Sequence, residues 1–307
     1  MKIGIGSQIV GSPDATLDAL VAEAKAAEDD GFAFYSLPNI FGVDAVSALT
    51  VAGRETSRIE LATGVTPTPP RHPFALAQQA LTAQAACRGR FVLGIGLSHK
   101  IVVESMLGLS YAHPAEQMRE YLEVLMPLAQ GRPAAFQGRL YRVNGSLQVA
   151  GGTPLPVVVA ALGPKMLEVA GRLADGTATW MTGLRTLAEH TIPTIRRAAR
   201  EAGRPEPRIV CALPIALTRD PATAREAANK VFAIYGQLPS YRAMLDREGA
   251  AQPGDVAIAG DEGELRAALG RLREAGVTHF AASPYPADAD CVARTRRFLR
   301  EAASQPL

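Results

Sequence analysis

The chain has 307 residues, 48% of them hydrophobic and 20% charged, with a formal net charge of +2. Such a composition can bury one large core or two modest ones, and it excludes a disordered or low-complexity chain. The near-neutral balance argues against nucleic acid or an anionic membrane as partner.

Strand and helix patterns alternate from end to end. Lys2 to Ser7 is a short apolar run, followed by a helix from about Asp14 to Asp30 in which Leu17, Leu20, Val21, Ala24 and Ala27 recur at helical spacing. Gly31 supplies its C-terminal stop. Phe32 to Leu37 is the second strand and Val43 to Arg54 the second helix. Ile59 to Val65 reads as the third strand, and a helix from Pro73 to Ala86 carries proline in its first turn. The remaining strands are Phe91–Ile95, Pro156–Ala161, Ala178–Met181, Ile209–Leu217 and Val277–Ala282. Helices after the last four begin near Pro164, Arg185, Pro221 and Ala287. Eight strands, each followed by a helix, is the count of a (β/α)8 TIM barrel, and no linker divides the chain, so residues 1–307 read as a single domain.

Two segments exceed a minimal barrel. Gly131 to Gly152, after strand four, contains a small hairpin turning at Gly138. Leu238 to Ile258, before strand eight, holds the helical PSYRAMLDREG. Each fits either a wall over a binding site or a surface decoration.

The three cysteines Cys87, Cys211 and Cys291 are widely spaced and form no CxxC, which fits reduced thiols in a cytoplasm. The opening MKIGIGSQIV is a strand pattern without the features of a signal peptide, and no apolar run has the length of a bilayer span. His72, His99, His113, His190 and His279 show no metal-ligand spacing, and GxSxG is absent, so no metal and no nucleophile elbow is expected. The Gly94-Ile95-Gly96 pair lacks the third glycine of a dinucleotide fingerprint and fits a tight strand-to-loop turn. In Val157 to Lys165 a strand runs through Ala161-Leu162-Gly163 into a helix opened by Pro164. Free N–H groups there suit an anion, and ordinary helix capping explains the pattern equally well.

The segments LPNIFGVDAVSAL (Leu37 to Leu49), IELATGVTPTPPRHPFALAQQALT (Ile59 to Thr82), GRFVLGIGLSH (Gly89 to His99), ALGPKMLEVAGRLADGTATWMTG (Ala161 to Gly183) and LPSYRAMLDREG (Leu238 to Gly249) carry a resemblance. In this order the chain resembles the luciferase-like monooxygenase superfamily, and within it the actinobacterial enzymes that use coenzyme F420, a deazaflavin. The resemblance implies an oxidoreductase that transfers a hydride between F420 and a small organic substrate at the C-terminal mouth of the barrel. An FMN-dependent monooxygenase using O2 and a non-catalytic flavin- or deazaflavin-binding protein are the alternatives. It implies that the ring lies against a bulge at Gly64, Val65 and Thr66, with a cis peptide between Gly64 and Val65. Gly96, Leu97, Ser98, Ala161, Leu162, Gly163 and Pro164 would surround the coenzyme and its phosphate. His99 matches a position where some relatives place an acidic general acid, and Asn39 one often held by His. His99 then serves either in proton transfer or as a hydrogen bond to the coenzyme, whereas Asn39 only donates and accepts hydrogen bonds. Trp180 would pack on the coenzyme tail, wall the substrate pocket or fill the barrel end. Tyr235 and Tyr241 match the region that closes over the ring. Relatives are often homodimers.

Overall fold

The computed structural model describes residues 1–304. β1 (Lys2–Gly6) is followed by α1 (Leu17–Asp29), and β2 (Phe34–Leu37) by α2 (Ala45–Glu55). β3 (Glu60–Thr63) and β4 (Thr66–Pro67) precede α3 (Pro73–Ala86), and β5 (Phe91–Gly96) leads through a π-helical turn to α4 (Pro114–Ala129). The hairpin β6 (Ala134–Gln137) and β7 (Arg142–Gly145) precedes β8 (Val157–Ala160), α5 (Pro164–Leu173) and β9 (Gly176–Trp180). Next come α6 (Leu184–Thr186), α7 (Ile192–Glu201) and β10 (Arg208–Leu217). Then follow α8 (Pro221–Val231), α9 (Pro239–Glu248), β11 (Ile258–Gly260), α10 (Glu262–Ala275), β12 (His279–Pro284) and α11 (Cys291–Ser304).

β1, β2, β3, β5, β8, β9, β10 and β12 pair in parallel in that order, and β12 returns to β1, so the sheet closes as a (β/α)8 TIM barrel. Apolar residues face both the lumen and the helices, as a parallel sheet covered by helices requires. Ile5, Tyr35, Leu61, Phe91, Leu93, Val157 and Val159 are all buried. Helix ends follow the local chemistry. Thr16, Asp44 and Asp220 cap their helices through side-chain oxygens, and Asp261 with Glu264 forms a capping box at α10.

Several element ends shift by a few residues from the sequence reading, and three of the differences have a clear physical origin. The run read as one third strand, Ile59–Val65, breaks at Gly64–Val65; the piece beyond the break, β4, pairs Thr66 with Ile95 of β5. The sixth strand starts at Gly176 rather than Ala178, because Asp175 holds its entrance: its carboxylate accepts the Val157 N–H at 2.9 Å and pairs with Arg204 at 2.9 Å. After the seventh strand, Pro221 does open a helix, but the helix that delivers the chain to β12 is α10. Leu265, Leu269 and Leu272 of α10 lie in the main core, while α8 packs on a separate small cluster with Ala216 and Tyr285.

The hairpin lies outside the helical ring. Glu120 of α4, almost fully buried, accepts the N–H groups of Arg139, Leu140 and Tyr141 and fixes its tip. Tyr141 packs edge-on to Tyr121 and His72, so the hairpin braces α4 and the start of α3. Among the described residues no helix is long and apolar enough to cross a membrane.

Candidate functional site

The bulge after β3 is built by a hydroxyl and two glycines. Thr63 Oγ1 donates to the Gly94 carbonyl at 2.7 Å and accepts the Gly94 N–H at 2.8 Å, replacing ladder bonds where the strand breaks. The peptide between Gly64 and Val65 is cis. A Cβ on Gly94 would stand 2.1 Å from the Thr63 carbonyl oxygen, and one on Gly96 would stand 2.9 Å from Val65 Cγ2. The Gly-Ile-Gly pair therefore admits close approach of the bulge, consistent with its reading as something other than a dinucleotide fingerprint. Thr66 Oγ1, just past the bulge, is buried and makes no hydrogen bond.

Beyond β5, Leu97 is buried and Ser98 adopts a left-handed φ of 60°. His99 follows. Burial pulls its imidazole below the ordinary 6.5, so the ring is neutral around pH 7. Tyr241 of α9 lies 5.8 Å from His99, Tyr235 lies 5.0 Å from Tyr241, and Trp180 lies 5.7 Å from Tyr235, each measured between ring centroids. This aromatic file joins the end of β5 to the end of β9. The insertion that carries it thus walls the mouth rather than decorating the surface. Trp180 Nε1 is buried and makes no hydrogen bond.

At the end of β8, Ala161 is buried and Gly163 is the N-cap of α5, with no side chain capping the first turn. A Cβ built on Gly163 meets nothing within 4 Å, so the turn is open above. Pro164 in the first turn lacks an N–H, and the amides after it face outward from the helix start. His190 Nε2 lies 3.0 Å from the Leu162 carbonyl oxygen, and since a carbonyl only accepts, Nε2 carries the proton. His190 is almost wholly buried. Sequence reasoning passed it over, because its partner lies 28 residues upstream and the contact is tertiary.

Asn39 follows β2. Its Oδ1 accepts the Ala45 N–H at 2.9 Å, which ties it to the start of α2, and its NH2 group donates to the Ile40 carbonyl at 3.5 Å, leaving one N–H for a ligand. Arg71, after the bulge, pairs with Asp44 at 2.8 Å and donates to the Pro67 carbonyl at 3.1 Å, which ties the bulge loop to α2.

The staves β2, β3, β5, β8 and β9 are consecutive in the barrel. Asn39, Gly64 to Thr66, Gly96 to His99, Ala161 to Pro164 and Trp180 therefore form one arc along their C-terminal ends, where barrels of this kind carry chemistry. A cavity of about 440 Å3 lies instead at the opposite end, lined by Asp175, Arg208, Thr278 and His279. Its charged groups are satisfied in pairs, Arg208 with Glu60 at 2.6 Å and Asp175 with Arg204 at 2.9 Å, as suits a stabilising base rather than a reaction centre. Among the described residues no three His, Cys, Asp or Glu side chains converge as metal ligands.

The profile of the luciferase-like monooxygenase family matches residues 1–302. An uncharacterized protein of Mycobacterium tuberculosis is 29% identical over 221 residues, covering 67% of this chain and 65% of that protein. The chain thus spans just under two thirds of that relative. The F420-dependent glucose-6-phosphate dehydrogenase of Nakamurella multipartita is 32% identical over 162 residues, covering 51% of this chain and 48% of the relative. The coenzyme F420-dependent tetrahydromethanopterin reductase of Methanopyrus kandleri superposes with a TM-score of 0.81 at 23% identity, covering 99% of this chain and 97% of that one, which establishes a shared fold. With the profile spanning almost the whole chain, the protein belongs to the luciferase-like monooxygenase family.

Proposed function

We propose that the protein is an oxidoreductase that transfers a hydride between coenzyme F420 and a small organic substrate at the C-terminal mouth of its barrel. The observation that carries this reading is the arc itself. A glycine-built bulge and a half-buried, neutral histidine stand beside an uncapped helix start on neighbouring staves. Relatives named for F420 support the choice of coenzyme.

The residues fit such a group. The first amides of α5 and its positive dipole end would take the phosphate, with His190 holding the Leu162 carbonyl turned away from it. Leu97, Ser98 and Gly96 would border the same anion. Two polar atoms at the mouth, Thr66 Oγ1 and Trp180 Nε1, are buried without partners and would gain them from a ligand. Bound F420 supplies a two-electron hydride carrier. The protein's part is to hold the substrate carbon over the ring, exclude water with Tyr235, Tyr241 and Trp180, and manage one proton. Neutral His99 can accept a proton from a substrate hydroxyl, while Asn39 can only orient an oxygen through its NH2 group. The same reading places the chain in a reducing cytoplasm, where the buried thiols Cys87 and Cys211, pushed up to about 11 and about 12 by desolvation, stay inert. The resemblance also admits a homodimer, a state that light scattering reads.

Titration of the purified protein with F420 and with FMN, followed by the fluorescence of Trp180, decides the coenzyme. Tight binding of F420 with weak binding of FMN supports the reading. The reverse order favours a flavin monooxygenase.

A further inference from the structure

α9 (Pro239–Glu248) meets the rest of the barrel at both of its ends. Tyr241, in its first turn, lies 5.8 Å from the ring of His99, which follows β5. Glu248 is its last residue, two turns further on. That spacing returns to the same side of the helix, so Tyr241 and Glu248 share it with Met244 and Leu245, both buried.

The carboxylate of Glu248 serves another element. Its Oε1 accepts the Arg185 N–H at 3.0 Å, and its Oε2 accepts the Thr186 N–H at 2.7 Å. These amides open the helical run that follows β9, and Gly183, the N-cap of α6, has no side chain to satisfy them. A carboxylate at this end also meets the positive end of the helix dipole. Thr186 Oγ1 donates to the Met244 carbonyl at 3.4 Å, a second tie between the same two elements. A Cβ on Gly183 would stand 2.3 Å from Glu248 Cδ, so the glycine is what admits the carboxylate. The segment after β9 thus grips one end of α9, and the other end covers His99.

No charge replaces that cover. Tyr241 and Tyr111, whose hydroxyl donates to the Ser98 carbonyl at 3.3 Å, are both pushed up by burial and stay uncharged where histidine titrates. Lys100 and Glu104 face each other at 3.8 Å. Burial alone lowers the His99 imidazole, so whatever holds Tyr241 in place sets how readily the ring takes a proton.

Resting on the hydride-transfer reading above, we propose that Glu248 is a positioning residue for the proton-transfer site. Its carboxylate caps the helical run after β9 and so holds α9 with Tyr241 over His99. It acts through Tyr241 and not on the reacting atoms.

Proton NMR of the full chain without coenzyme tests this by reading the titration midpoint of His99. His99→Gln picks out its resonance among the five histidines. Glu248→Ala should raise the midpoint toward the ordinary 6.5, because water reaches the ring once α9 is released. Glu248→Gln keeps one acceptor oxygen and should raise it less. Gly183→Ala leaves Glu248 in the chain but drives its carboxylate off the two amides, so it decides the same contact even if Glu248→Ala folds poorly. Its expected shift has the same sign. Tyr241→Ala should raise the midpoint by itself, and adding Glu248→Ala should raise it no further, since both changes act on one route. A midpoint that stays in place in Glu248→Ala and Gly183→Ala, whatever the melting temperature does, overturns the proposal and leaves Glu248 a helix cap only. Additive shifts in the double variant overturn the route through Tyr241. The F420 titration is made separately. Its failure rejects the hydride-transfer reading, while the midpoint, read without coenzyme, still decides whether Glu248 positions Tyr241.

Discussion

The ring of Tyr241 lies 5.8 Å from the ring of His99, tilted by 57°. A helix inserted between β10 and β12 thereby shelters the histidine that follows β5, and this burial is what pulls the imidazole below its ordinary 6.5.

The pH dependence of hydride transfer follows from that contact. If His99 takes the proton of a substrate hydroxyl, oxidation of the alcohol needs the neutral ring. The rate then holds through neutral pH and falls on the acid side, at a pH below 6.5. Reduction of the ketone needs the protonated ring and shows the opposite trend. His99→Gln keeps a hydrogen-bonding group without titrating, so it should flatten the acid limb and slow the single-turnover rate by roughly 100-fold or more. An acid limb that survives in His99→Gln leaves the residue a hydrogen-bonding role only.

His190 should act on the coenzyme without touching it. Losing its bond to the Leu162 carbonyl costs a net ~0.5–1.5 kcal/mol and frees the loop that presents the α5 amides. His190→Ala should therefore raise the F420 dissociation constant about fivefold. His190→Gln, which can still donate through its amide, should recover much of that affinity. A loss of melting temperature with unaltered F420 affinity in both variants would reduce His190 to core packing.

Ser36 and Gly64 are coupled by space. A Cβ on Gly64 would stand 2.3 Å from Ser36 Oγ, whereas the next atom, Ser36 Cβ, lies at 3.7 Å. Gly64→Ala should destabilise by ~1–3 kcal/mol as an overpacked site. Adding Ser36→Ala removes the colliding oxygen and should return at least half of the loss, giving a coupling energy of ~0.5–3 kcal/mol in a double-mutant cycle. Urea denaturation of the four proteins measures it, and simple additivity would place the strain elsewhere.

The barrel was legible because its strands are buried on both faces and bounded by glycine, proline and capping residues. α3 runs from Pro73 to Ala86 as its proline start and the Arg88-Gly89 turn indicate. The helix in PSYRAMLDREG likewise ends at the left-handed Gly249. α4 carries an equally local signal, since Met118, Tyr121, Leu122 and Leu125 recur at helical spacing and are buried. α10 does too, with Asp261 and Glu264 forming a capping box and Gly276 left-handed at its end. What composition could not give is the pairing across the fold. The reach of His190 to Leu162, the shelter of His99 under Tyr241 and the Ser36 hydroxyl beneath Gly64 all join residues distant in the chain.

Glu28 offers a pH-resolved test of what holds the bulged strand in place. It sits at the end of α1 and accepts the N–H groups of Ser57, Arg58 and Ile59, with contacts of 2.6 to 3.1 Å, just before β3 begins. Burial opposes its ionisation, but the three donors outweigh burial and hold the carboxyl at about 2, against an ordinary 4.5. Between those two values the unfolded chain binds the proton more tightly than the folded one. The stabilisation is therefore fully present above pH 4.5, declines as the pH falls, and is gone below about 2. Glu28→Gln keeps the shape and removes the charge. It should cost ~1–2 kcal/mol at neutral pH, a figure already reduced for partial exposure to solvent. The gap between the two proteins should narrow when urea denaturation is repeated at pH 3. A gap of equal size at both pH values would mean that shape rather than charge ties α1 to the loop that feeds the site.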